Sequence, residues 1–166
     1  MIFHSINLHD NSTQSVSVGD NEYLENMFIS SDYAFLFDNT ELLMQIVDIS
    51  SSSKFTLRGT YKYKSKHLYS LQVVGSHAYI AGGESGIEVF NIFDFTFVNH
   101  VDIPAFSIDG NGGYLYVKDN ISFASCFQIS VLKIKENGGL VLVNTVKVPE
   151  HTDYCYKDGV IYYLKN

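Results

Sequence analysis

The chain has no tryptophan, and its 166 residues include only two prolines and two cysteines. Two cysteines, Cys126 and Cys155, are too few for a disulfide scaffold and too few alone for a structural zinc site. They read as buried or idle thiols, with a pairing between them left open. Basic residues are missing from residues 1–53, which hold eight acidic side chains and neither Lys nor Arg. The net charge of −7 argues against nucleic acid or anionic lipid as a partner for the surface as a whole. No apolar run approaches the length that spans a bilayer, so no membrane span is expected. Met1–Asp10 has no basic stretch followed by an apolar core, so no signal peptide is expected there.

What is abundant is aromatic. Tyr and Phe occur 12 times each, and hydrophobic residues make up 46% of the chain, which excludes disorder. Aromatic enrichment with few prolines suits strands better than helices.

A short signature returns at nearly constant spacing: Ile6-Asn7-Leu8, Val47-Asp48-Ile49, Phe90-Asn91-Ile92 and Leu132-Lys133-Ile134, in steps of 41, 43 and 42 residues. Each copy leads through a polar turn into an alternating apolar run: Thr13–Val18, Phe55–Tyr61, Thr96–Asp102 and Leu140–Lys147. Ahead of the signatures, short strands are expected in pairs: Glu25–Ile29 with Tyr33–Asp38, Tyr69–Val74 with Ala78–Ala81, and Phe106–Asp109 with Tyr114–Lys118. A further pair, Tyr154–Tyr156 with Val160–Leu164, follows the last copy. Gly112-Gly113 and Asp158-Gly159 supply the positive φ that tight hairpins require. The second member of each pair carries an uninterrupted apolar group, such as Ala34-Phe35-Leu36 or Ala78-Tyr79-Ile80, which suits a strand buried on both faces.

One unit is therefore a four-stranded meander, and a strand-rich period near 42 residues marks a β-propeller. Three complete units are expected, at 25–61, 69–102 and 105–147. Residues 2–18 and 152–164 supply two strands each and are expected to share one further blade, making four. Residues 1–166 are thus read as a single propeller domain, either a small closed ring or half of a ring built by two chains. The alternative all-β reading is an antiparallel β-sandwich, against which the regular period argues.

The stretch Val74–Gly83 followed by Gly86-Ile87-Glu88-Val89-Phe90-Asn91-Ile92 resembles the LVIVD-type propeller repeat, as does Gln45–Ser50. Lys133 departs from the pattern, standing where an acid or amide is expected. The resemblance implies a propeller without one defined activity, with a place at the cell surface or among exported proteins, and it carries no catalytic residue. Neither WD40 nor kelch repeats fit: no Trp is present, and only one unit has a paired glycine, Gly82-Gly83.

Propeller ligands bind at one mouth of the central channel, where each blade contributes loops. His67, Glu84, His151 and Asp153 fall on such loops and are the candidate binding residues. No pair has the HxH or HxxxH spacing of metal ligands, so neither metal nor cofactor is expected. Nothing marks a nucleophile beside either histidine: Ser70 and Ser125 qualify equally poorly. Lys62, Lys64 and Lys66 alternate with Tyr61 and Tyr63, which at period two puts the lysines on one face of an outer strand. They form either a basic patch for an acidic partner or edge protection, and the second is preferred. Gly82–Gly86 lacks the lysine and following helix of a phosphate loop. Asn11-Ser12-Thr13 and Asn120-Ile121-Ser122 match the glycosylation pattern, a match that chance often produces.

Three functions follow: a non-enzymatic scaffold binding protein or glycan, an enzyme (hydrolase or lyase) with its site at the channel mouth, and a half-propeller that assembles as a homodimer. The first is preferred.

Overall fold

The computed structural model describes residues 2–6, 13–17, 26–51, 54–119, 126–149 and 154–163. Every regular element among them is a strand. The chain divides into two compact units, Met1–Lys64 and Ser65–Asn166.

In the first unit, β1 (Ile2–Ile6) and β2 (Thr13–Ser17) form a two-stranded antiparallel sheet. β3 (Asn26–Ser30), β4 (Tyr33–Asp38), β5 (Leu43–Asp48) and β6 (Thr56–Lys62) form a four-stranded meander in chain order. β4 is buried along nearly its whole length, as its unbroken apolar run requires. Ala34, Leu36 and Val47 form a core against which Phe3, Val16, Ile49 and Phe55 pack. The Phe3 and Phe55 rings lie 5.5 Å apart, so the β1–β2 sheet covers one face of the meander.

In the second unit, β7 (Ser70–Val74), β8 (His77–Ala81), β9 (Ile87–Asn91) and β10 (Phe97–Val101) form one meander. β11 (Ser107–Asn111), β12 (Tyr114–Asp119), β13 (Cys126–Ile134) and β14 (Leu140–Pro149) form another. β15 (Tyr154–Lys157) and β16 (Val160–Tyr163) make a two-stranded sheet. The three expected complete units are these three meanders. The β15–β16 turn takes φ 48° at Asp158 and φ 84° at Gly159, the pattern of a two-residue hairpin that follows strand twist.

The sheets of this unit stack face to face. Tyr79, Ala81, Ile87 and Val89 from β8 and β9 meet Ile108, Leu115, Val117 and Leu132 from the next sheet. The opposite face of that next sheet, with Tyr116, Phe127, Ile129 and Val131, carries Tyr156 and Ile161 of the hairpin. Full burial of one such side chain contributes about 1.5–3 kcal/mol, so each stacked face is a source of stability for this unit.

One feature recurs in all three meanders. Pairing between the third and fourth strands skips a single outer-strand residue, at Arg58, Val98 and Val143. The break falls each time beside the signature residue Val47, Phe90 or Leu132. A bulge at that point twists the outer strand and makes it a poor template for another chain's edge.

Candidate functional site

The β8–β9 connection is built on Gly82 and Gly83. Gly82 N–H donates to Gly86 O at 2.8 Å, and Gly86 N–H donates to Gly83 O at 3.1 Å, closing a tight turn with Glu84 and Ser85 exposed at its tip. Gly83 exchanges two backbone hydrogen bonds with Ala105, at 2.7 and 2.9 Å. It has φ 64°, and a β-carbon there would meet the Tyr69 ring at 2.6 Å. The missing side chain thus lets an aromatic ring lie on the turn.

Tyr69 is the centre of a short aromatic ladder. Its ring centroid is 4.7 Å from that of Phe106 and 6.1 Å from that of His67, the latter edge-on. Its backbone N–H donates to Ala81 O at 2.9 Å, which anchors the segment entering β7. Even so, 46% of Tyr69 is exposed. The structure therefore brings His67 to the loop end that carries Glu84, with Tyr69 between His67 and the glycine turn. Tyr69 and Phe106 were not singled out from sequence; only their aromatic character at strand starts was visible there. The other two candidates, His151 and Asp153, lie outside the described residues, as do Ser125 and both glycosylation patterns apart from Thr13.

Of the three lysines, only Lys62 lies within β6; Lys64 and Lys66 follow its end, so they do not share a strand face. All three are exposed, while Tyr61, Tyr63 and Ser65 are buried. Tyr63 is held because its hydroxyl donates toward Asp38 O at 3.1 Å and Asn39 Oδ1 at 2.9 Å. Among the described residues, no group of three His, Cys, Asp or Glu side chains is placed to hold a metal ion. Cys155 is a free thiol and is exposed rather than buried; the Cys126 side chain lies outside the described residues.

The acid or amide of the repeat signature has a structural task. Asp48 Oδ1 accepts the Ser50 N–H at 3.0 Å and the Ser50 hydroxyl at 2.6 Å. Asn91 Oδ1 accepts the Phe93 N–H at 2.8 Å. Each closes the turn between the third and fourth strands with a side-chain oxygen. Lys133 has no such oxygen, and in that turn Asn137 Oδ1 accepts the Gly139 N–H at 3.1 Å instead. The two hydrogen bonds from Ser50, backbone and side chain, pull the Asp48 carboxyl below its usual range.

Asp38 and Asp119 act likewise at the ends of β4 and β12. Asp38 Oδ1 accepts the Thr40 and Glu41 N–H groups at 2.8 and 3.0 Å, and Asp119 Oδ1 accepts the Gln128 N–H at 2.5 Å. A hydroxyl and an imidazole meet in the β7–β8 turn, where Ser76 Oγ lies 3.1 Å from His77 Nδ1. They are chain neighbours in one tight turn, and the His77 ring lies over Gly138, so the pair reads as a turn contact.

Residues 23–63, which span β3–β6, match the LVIVD repeat. The signature Val47-Asp48-Ile49 of this stretch is the one that the Asp48 turn closes, and the meanders of the second unit reproduce its strand order and its bulge. The computationally designed Ika4 protein shares the fold at a TM-score of 0.50 and 7% identity, over 77% of this chain and 94% of that one. The fold is a β-propeller of four-stranded antiparallel blades. Weaker likeness extends to the N-terminal domain of Nup159, with a TM-score of 0.46 and 12% identity over 77% of this chain and 32% of that one. Glutaminyl cyclase of Myxococcus xanthus gives a TM-score of 0.45 and 19% identity over 76% of this chain and 58% of that one. No curated protein matches the chain.

Proposed function

We propose that the chain is a non-enzymatic β-propeller module that binds a protein or glycan at the β8–β9 loop end. The observation that carries this reading is the half-exposed Tyr69, flanked by His67 and Phe106 and seated on the glycine turn that presents Glu84. An aromatic face offers apolar area at low entropic cost, while a carboxylate and an imidazole beside it orient polar groups of a ligand. Lys62, Lys64 and Lys66 serve as solvated protection in this reading. The net charge of −7 disfavours nucleic acid. Among the described residues no helix is long and apolar enough to cross a membrane. A place at the cell surface or among exported proteins suits a binding module of this kind.

The test is a screen of the purified chain against glycan arrays and protein extracts, repeated with Tyr69→Ala. The expected result is a retained ligand whose binding falls at least about tenfold in the variant, the loss of about 1.4 kcal/mol. Unchanged binding by Tyr69→Ala refutes the reading.

A further inference from the structure

The two stacked meanders of the second unit leave a cleft at one rim of their interface. It lies between β10 and the β13–β14 turn, has a volume of about 270 Å³, and is lined by Val98, Asn99, Lys135, Asn137, Gly139 and Leu140. Val98 and Leu140 pack against the core that joins the two sheets, so they form an apolar floor. The β10 bulge explains why Val98 and Asn99 both line it. Val98 is the residue that the β9–β10 pairing skips, and a bulge re-aims side chains away from strict alternation. Both residues are half-buried.

The other wall is a turn held by its own backbone. Lys135 N–H donates to Gly139 O at 2.8 Å, and Gly138 N–H donates to Lys135 O at 2.9 Å. The His77 ring lies over Gly138 and ties this turn to the neighbouring sheet. Asn137 Oδ1 is occupied by the Gly139 N–H, so its amide nitrogen is what remains to offer a ligand. Among the described residues, no hydrogen bond or ion pair engages the Asn99 carboxamide or the Lys135 ammonium. Of the six lining residues Lys135 alone is charged, and Glu136 of the same turn does not line the cleft. The departure of the repeat at Lys133 matters here. The signature acid that closes the equivalent turn at Asp48 is replaced by a lysine, which removes a carboxylate from beside Lys135.

We propose that this cleft binds one hexuronate residue, a sugar ring that carries a carboxylate. The Lys135 ammonium pairs with the carboxylate. The Asn99 carboxamide donates to and accepts from ring hydroxyls, and the Asn137 nitrogen donates to them. Val98 and Leu140 meet the C–H face of the ring, in the usual pattern of an apolar wall with a few placed polar groups. A cleft of this size holds one ring rather than a folded partner. A bare anion would use the lysine and leave both carboxamides and the floor without a role. The site is separate from the Tyr69 face, and either can fail without the other.

The isotope-labelled full chain is titrated with glucuronic acid and followed by amide NMR. The side-chain amides of Asn99 and Asn137 are expected to shift and to saturate. Glucose and acetate each supply half of the recognition and are expected to bind at least about tenfold more weakly. Lys135→Gln changes an exposed residue. It is expected to keep the β-sheet circular dichroism and weaken glucuronate at least about tenfold. No shift at either amide overturns the proposal, as does equal affinity for glucose or unchanged binding by Lys135→Gln. Acetate binding as tightly as glucuronate reduces the cleft to a simple anion site and also overturns it. Shifts confined to Gly83–Ser85 assign the sugar to the Tyr69 face instead and overturn it here.

Discussion

The hydroxyl of Tyr116 accepts the backbone N–H of Gly159 at 2.7 Å, tying β12 to the turn of the β15–β16 hairpin. The Tyr116 ring also stacks on Tyr156, with centroids 4.1 Å apart and planes 15° from parallel. One residue thus supplies both apolar cover and a polar anchor to the next sheet. Burial raises the Tyr116 pKa, with the Gly159 hydrogen bond opposing it. Tyr116→Phe keeps the stack and leaves the Gly159 N–H without its partner. It is expected to cost about 1 kcal/mol. Faster amide hydrogen exchange should be confined to residues 154–163; unchanged exchange there would show that the hydroxyl does not anchor the hairpin.

Tyr79 holds the equivalent place in β8, and its hydroxyl is buried without a hydrogen-bond partner. A desolvated, unpaired hydroxyl is a cost to the fold. Tyr79→Phe is therefore expected to leave stability unchanged or raise it by up to about 1 kcal/mol, opposite in sign to the change at Tyr116. Burial also pushes the Tyr79 pKa up to about 12. The folded value lies above the unfolded one, near 10. Stability therefore does not depend on this phenol's ionisation below about pH 10 and falls as pH rises toward 12, because the unfolded chain ionises first. Urea midpoints across that range should fall less steeply for Tyr79→Phe than for the native chain. An equal slope would place the phenol in water.

Among the described residues, Asp48 and Asp94 contribute to the acid limb. Both carboxyls lie below their usual range, each chiefly because it accepts a side-chain hydroxyl and then a backbone N–H, from Ser50 and Thr96 respectively. A depressed folded pKa means stability that is present above the unfolded value of about 4 and lost as pH falls through the folded one. Asp48→Asn with Asp94→Asn retains an accepting oxygen, as Asn91 already shows in its own turn. The double variant should therefore lose less stability than the native chain between about pH 4 and pH 2. Parallel urea midpoints for the two proteins over that range would contradict the assignment.

Much of the architecture was legible because it is local. Asp158-Gly159 needs positive φ at both turn residues, and the unbroken run of β4 needs two buried faces; both announce themselves in residue type. The signature acid was visible as a pattern, but its role appears only when Asp48 Oδ1 is seen on the Ser50 N–H. The bulges at Arg58, Val98 and Val143 could not be read, since neither arginine nor valine marks a skipped pairing. Nor could the meeting of Tyr69 with Phe106, which two strands make only once their sheets have stacked. The lysine alternation continued past the strand because Tyr61 and Tyr63 are buried, not because β6 extends to Lys66.

Gly83 links the fold to the candidate site. A methyl group there meets a ring atom of Tyr69 at 2.6 Å and another at 3.2 Å, on a backbone already at φ 64°. Gly83→Ala has two costs: left-handed backbone strain of about 1 kcal/mol and displacement of the ring. The Gly83–Ala105 bridge lies in the backbone and does not itself require the ring. Gly83→Ala should therefore lower stability by about 1–3 kcal/mol and move Tyr69 off the turn. Tyr69→Ala, which relieves the crowding, should recover part of the lost stability when combined with it. A double-mutant cycle measures this directly, with a coupling of about 0.5–3 kcal/mol expected for groups in contact. Strict additivity of the two changes would mean that the ring does not rest on the glycine, and the Tyr69 platform would lose its support.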